Sequence, residues 1–182
     1  MRKLLKWGVI GIIVLVIIGA LSGGNKNGGG STNTSSSQQT SQAEQTYKVG
    51  ETVKSKNLEM TISSVTSRAS VGTQYISEKA SEGGTLVVVQ WQYKNASNEP
   101  IGSFSQPSIK LIDSAGVEYS SDIGKSSTYA TEIKLDSKVF SDLNPGITVK
   151  DAKVFEVSKE AYAKGGWSVV VKADGKSYKV SL

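Results

Sequence analysis

No cysteine and no histidine occur among the 182 residues, and there are only three prolines. Without cysteine no disulfide can form, so a folded domain must hold together by packing alone. The same absence removes a lipobox cysteine, so no lipid-modified N-terminus is expected. The usual zinc ligands, the general base of hydrolytic triads and any thiol nucleophile are missing too. Blocks of like charge are also lacking. From Tyr47 onward the chain has seventeen cations and fifteen anions, a net charge of +2 with the signs interspersed. No lysine- or arginine-rich block occurs there, so nucleic acid is not an expected partner.

What the chain does have is a long apolar run near its start. Arg2, Lys3 and Lys6 precede uncharged residues from Trp7 to Leu21. Cations resist crossing a bilayer, so the N-terminus is expected inside and the remainder outside. Fifteen residues make a helix of about 22 Å, short of the ~30 Å hydrocarbon core. Leu4 and Leu5 extend the run if Lys6 snorkels to the headgroups. The reading adopted is a retained single-pass anchor at the cell membrane. The alternative is a signal peptide cleaved after Ala20-Leu21-Ser22, which leaves a secreted protein.

Ser22 to Thr46 contains no apolar residue larger than alanine. Such a segment cannot offset its ordering entropy by burial, so disorder is predicted. As a Gly/Ser-type coil it would reach roughly 27 Å. The expected organisation is therefore a signal or anchor over 1–22, a linker over 23–46 and one domain over 47–182.

In that domain the hydrophobic period is two. Leu58, Met60, Ile62 and Val65 nearly alternate with polar residues. Val87, Val89, Trp91 and Tyr93 share one face of the run Thr85 to Asn95, while Leu86 and Val88 form a second apolar face at one end. That pattern predicts a central strand. Ile109 and Leu111 follow, with a tight turn at Asp113–Gly116 leading into Val117-Glu118-Tyr119. Further strands are predicted over Ile147 to Val157, with a bulge near Asp151, and through Trp167, Val169 and Val171. Asp174-Gly175 signals a type I′ turn into a C-terminal strand through Tyr178, Val180 and Leu182. Ser158 to Lys164 reads as a short helical connector. About seven strands with little helix predict an all-β antiparallel sandwich. Trp91 and Trp167 are expected as core anchors, and Asn95 as a turn residue rather than a glycosylation site.

Two stretches carry no clear pattern, Ser67 to Gly84 and Ser120 to Asn144. The second holds Tyr129, Ile133, Leu135, Val139 and Phe140 among polar residues, and these five form the candidate ligand-contact loop. The competing expectation is that part of this stretch enters the sandwich as a further strand. Asp113, Glu118 and Asp122 are candidate ligands for a weak Ca²⁺ site, although no D-x-D-x-D-G arrangement is present. Acid pairs drawn from Asp113, Glu118, Asp122, Asp136 and Asp142 would be needed for a carboxylate-dependent hydrolase. Most sit in polar turns where solvated carboxylates are the default.

The segments Tyr47-Lys-Val-Gly-Glu-Thr-Val, Leu58-Glu-Met-Thr-Ile, Gly84-Thr-Leu-Val-Val-Val and Tyr93-Lys-Asn-Ala-Ser-Asn-Glu-Pro-Ile run in fixed order. Ile109-Lys-Leu-Ile-Asp-Ser-Ala-Gly, Leu143-Asn-Pro-Gly and Val154-Phe-Glu-Val complete the series. Their order and spacing over about 47–182 resemble the domain-of-unknown-function family DUF4352. The resemblance implies an Ig-like sandwich of exported Gram-positive proteins and no catalytic motif. The expected function is a non-enzymatic, membrane-tethered extracellular module without cofactor or metal, binding a protein or envelope ligand. The alternative is an accessory subunit of a membrane complex.

Overall fold

The computed structural model describes residues 46–135 and 141–182. The expectations for the 1–22 and 23–45 segments, and for Asp136, Val139 and Phe140, lie outside the described residues. Among the described residues no helix is long and apolar enough to cross a membrane.

The elements in chain order are β1 (Thr46–Lys48), β2 (Thr52–Lys54), β3 (Leu58–Arg68), β4 (Ser70–Gly72), β5 (Ser77–Lys79) and β6 (Gly84–Asn95). A 3-10 turn (Ser103–Ser105), β7 (Ser108–Ile112), β8 (Glu118–Tyr119) and α1 (Ile123–Glu132) follow. The chain closes with β9 (Thr148–Ser158), α2 (Lys159–Ala163), β10 (Ser168–Ala173) and β11 (Lys176–Ser181). A five-stranded sheet has the order β1-β11-β10-β7-β8, and a four-stranded sheet the order β2-β3-β6-β9. All pairings are antiparallel except β1 with β11, which is parallel. The chain is thus an all-β sandwich. The four strands added to the predicted set (β1, β2, β4 and β5) are three residues each. Runs that short cannot display a period.

Alternation builds the core. Val87, Val89, Trp91 and Tyr93 of β6 pack with Leu58, Met60 and Ile62 of β3 against Leu111, Val169 and Val171 of the opposite sheet. Each fully buried Val, Leu or Ile contributes about 1.5–3 kcal/mol, which this many aligned positions convert into one cooperative interface. The bulge lies in β3, not in β9. The β3–β6 register shifts between Ile62 and Ser64, which returns Val65 to the core side opposite Val89. The β9–β6 ladder runs without a shift from Thr148 to Ser158. The adjacent apolar pair Val154-Phe155 instead reflects burial of β9 on both faces.

A third layer explains that double burial. Leu86, Val88, Ala152 and Val154 form a second cluster with Val71 of β4 and Tyr129 of α1. Residues 123–132 are a helix rather than a loop or strand. The Asp122 carboxylate caps it by accepting from the Lys125 N–H at 2.9 Å, as N-cap acids do. Ser126 ties the helix to β9: its hydroxyl accepts the Val154 N–H at 2.9 Å and donates to the Asp122 carbonyl. Lys125 bridges Asp122 and Glu156 at 2.8 and 3.1 Å. The Lys125 ammonium holds the Asp122 carboxyl below its ordinary value. The Ser81 N–H, then Lys125, does the same for Glu156. These contacts hold α1 down above the ordinary carboxylate range, and the hold is lost as pH falls through the depressed folded values. The β4–β5 hairpin closes over the helix at Gly72, whose φ of +117° places a would-be Cβ 2.2 Å from the Ile76 carbonyl oxygen. Only glycine fits there.

Candidate functional site

At one end of the sandwich the β2–β3, β6–β7 and β10–β11 connections meet. Asn95 is fully buried at the base of this end. Its amide donates to the carbonyls of Glu99 and Leu143 at 2.7 and 2.8 Å. Its oxygen accepts the N–H and hydroxyl of Ser97 at 2.9 and 2.7 Å. One side chain therefore satisfies all four of its hydrogen-bonding positions and joins the end of β6 to the segment before β9. Across the end, Asp174 sits in the left-handed region at φ 50°. Its carboxylate accepts from the Ser55 hydroxyl at 2.6 Å and from the Asn57 N–H at 2.8 Å. Burial alone would raise the Asp174 carboxyl, but these donors more than offset it and the net shift is downward. This clasp links the two sheets.

On that frame the loop 96–107 presents Phe104. The ring is fully exposed, although the loop beneath it is braced. Ile101 and Leu143 exchange backbone bonds at 3.0 and 2.8 Å. Gln106 accepts from the Tyr93 hydroxyl at 3.0 Å and donates to the Ser141 carbonyl at 2.8 Å. The Tyr93 hydroxyl is pushed up to about 12 by burial and by the Asp151 carboxylate, so it stays a donor at neutral pH. Beside Phe104 lies an open concavity of about 740 Å³, lined also by Asn57, Gln106, Lys172, Lys176 and Ser177. An aromatic held out to solvent on a braced turn, next to a polar hollow, has the chemistry of a binding anchor.

The concavity opens onto the outer face of the five-stranded sheet. Val169, Val171 and Ala173 of β10 point into the core, so Ser168, Val170 and Lys172 point outward. The registers place Lys110 of β7 and Lys179 of β11 on either side of Val170. Ser108 and Ser177 flank Lys172 in the next row. Lys48 of β1 lies opposite Ser181. Val170 is only 5% exposed despite facing outward, as expected when lysine stems cover an apolar position. Among the described residues the one carboxylate on this face is Glu118, which pairs with Lys172 at 3.1 Å. Four lysines against one carboxylate are thus gathered on one sheet surface of a domain with a net charge of only +2. Many of the anions are turned to structural tasks instead. Glu51, Asp113, Asp122, Glu132, Asp151, Glu156 and Asp174 each accept a backbone N–H.

The residues singled out from sequence fall elsewhere. Tyr129 is 4% exposed; its hydroxyl takes a 2.7 Å bond from the Gln90 amide and Arg68 lies over its ring. It is a core residue of the third layer and offers no surface to a ligand. Ile133 and Leu135 pack half-buried on the same cluster. Asp113, Glu118 and Asp122 do not converge: Asp113 closes its own turn and accepts from the Tyr119 hydroxyl, Glu118 pairs with Lys172, and Asp122 caps α1. Among the described residues no three acidic, histidine or cysteine side chains are grouped to hold a metal. The lysine face was missed because its members lie on four separate strands. The signal available was lysine at the polar positions of β7, β10 and β11.

Comparison with known proteins agrees with this architecture. The family model described as "Domain of unknown function (DUF4352)" matches residues 47–165. The uncharacterized protein YxkC of Bacillus subtilis (strain 168) is 56% identical over 127 residues, which are 69% of this chain and 71% of that protein. A conserved hypothetical protein from Bacillus anthracis, solved by crystallography, superposes with a TM-score of 0.66 at 28% identity, covering 73% of this chain and 94% of that one. An uncharacterized β-sandwich protein from Clostridium difficile 630 gives a TM-score of 0.54 at 16% identity, over 76% and 94% of the two chains. With a model match over most of the sandwich and a close relative in Bacillus, the chain belongs to the DUF4352 family.

Proposed function

We propose that the protein is a non-enzymatic extracellular module, tethered to the cell membrane by its N-terminal apolar run, that binds a protein or envelope ligand. The observation that carries this reading is Phe104, fully exposed on a braced turn at the rim of the 740 Å³ concavity. A ring left in water on a rigid loop gains free energy only when something covers it. The sequence supplies the address, with cations before an apolar run and a polar spacer after it. The engagement of Asp113, Asp122, Glu132, Glu156 and Asp174 in backbone bonds supports binding over carboxylate catalysis. Such acids are already fixed in structural geometry.

The test is capture of an envelope component by the full chain and by Phe104→Ser. The substitution lies on the surface, so stability should change by no more than about 0.5 kcal/mol. Retention on envelope from the producing cells should fall by more than about tenfold, the effect of losing an aromatic hot spot. Equal retention by the two proteins would overturn the reading, and so would sustained turnover of a cell-wall or peptide substrate.

A further inference from the structure

We infer that the outer face of the five-stranded sheet binds a linear polyanion with repeating phosphate groups, laid across Lys110, Lys179 and Lys172 towards the concavity. This rests on the proposed binding role and names the ligand chemistry for that same end of the domain.

Three observations carry it. Lys110 and Lys179 lie in one cross-strand row on either side of Val170, about 10 Å apart at the spacing of two strand intervals. Lys172 lies in the adjacent row between Ser108 and Ser177, both exposed. Cationic side chains on strands at that spacing, with hydroxyl donors flanking Lys172, can each meet an anionic group along one flexible chain that crosses the strands. The strand rows themselves carry no exposed large apolar side chain: Val170 is covered, Ile112 is half-buried, and the exposed Phe104 stands off the sheet on the loop 96–107. A bilayer surface would favour an apolar residue to insert as well as charge. A soluble polymer needs only the charge and the hydroxyls, so the polymer is the occupant chosen.

Charge complementarity on this face is lopsided. Lys179 and Lys48 make no ion pair among the described residues, and Lys110 is bonded only to the Ser120 hydroxyl at 2.6 Å. Lys172 alone shares its charge, with Glu118. The sandwich offers its own control. The exposed end of the four-stranded sheet bears Lys94, cross-strand from Glu59, and Lys150, cross-strand from Gln92.

The experiment measures binding of the full chain to long-chain inorganic polyphosphate at several salt concentrations. A second arm uses vesicles containing phosphatidylglycerol in phosphatidylcholine. Polyphosphate binding should weaken more than tenfold between about 50 and 200 mM salt, as counterion release on a polyanion requires. Lys110→Glu with Lys179→Glu should reduce affinity more than tenfold, whereas Lys94→Glu with Lys150→Glu, the same change in net charge on the other face, should stay within about threefold. Equal losses from the two pairs, absence of polyphosphate binding, or binding to vesicles alone would each overturn the inference. Loss of polyphosphate binding with Phe104-dependent capture intact leaves the binding-module reading standing. Loss of both removes both. Unfolding curves for each variant separate lost binding from lost fold.

Discussion

Asn95→Ala should lower the stability of the domain by about 3 kcal/mol, read as a fall of roughly 10 °C in the unfolding midpoint of the full chain. The residue is fully buried and makes four hydrogen bonds within 2.9 Å. Each such bond contributes about 0.5–1.5 kcal/mol net, and a polar group left unmatched in the interior costs about 1–3 kcal/mol more. The carbonyls of Glu99 and Leu143 keep one other donor each, the Ser97 hydroxyl and the Ile101 N–H. The loss is therefore large but short of the full sum. Asn95→Asp should be worse at neutral pH, since it sets a carboxylate against those two carbonyls in a buried site. Its folded carboxyl would sit above the unfolded value, so the added penalty is absent in acid and grows as pH rises past about 4. A change below about 1 kcal/mol on Asn95→Ala would mean that the loop end is not organised around this amide.

Tyr129→Ala should cost about 4 kcal/mol, and Tyr129→Phe about 1 kcal/mol, in denaturant unfolding of the full chain. Removing the ring opens a cavity between α1 and the back of β6 and β9, where Leu86, Val88 and Val154 would face empty space. It also leaves the Gln90 amide without its partner and removes the ring beneath the Arg68 guanidinium, which keeps its ion pair with Glu132. The phenylalanine variant keeps the packing and loses only the 2.7 Å bond from Gln90. The spread between the two variants separates a core residue from a surface contact. A solvent-facing tyrosine would tolerate both changes within about 0.5 kcal/mol.

How much of this was readable in the chain depends on burial. Long strands with one or two buried faces announced themselves. The alternation of Val87, Val89, Trp91 and Tyr93 fixed β6, and the extra pair Leu86 and Val88 foretold a second covered face. What covered it did not show. Helix α1 is rich in Ser and Thr (Ser126, Ser127, Thr128, Thr131) and has a thin apolar stripe. Its stability comes from the Asp122 cap, the Ser126 link to β9 and the Tyr129 anchor, which are tertiary contacts rather than propensity. The β4–β5 hairpin was hidden for a similar reason, its strands being too short to alternate. Its closure rests on Gly72 and on the Glu132 carboxylate, which accepts the Gly72 N–H at 2.6 Å. The bulge was misplaced because Val154-Phe155 breaks a two-residue period by having two dry sides.

The site was the least legible part. Large apolar residues in the 120–144 stretch drew attention to Tyr129, yet such residues are more often buried than displayed. Phe104 stood alone in a polar loop and gave no pattern. The lysine face is a property of the sheet register, because Lys110, Lys172 and Lys179 become neighbours only when β7, β10 and β11 align. The charge count of +2 concealed it by averaging exposed lysines with carboxylates bound to the backbone.

The most direct test of the account is amide hydrogen exchange on the full chain, free and bound to purified envelope from the producing cells. Binding at the loop end predicts new protection over residues 101–106 and 172–177, with α1 and the β4–β5 hairpin unchanged. Protection confined to residues 120–135, or none anywhere in the sandwich, would contradict it.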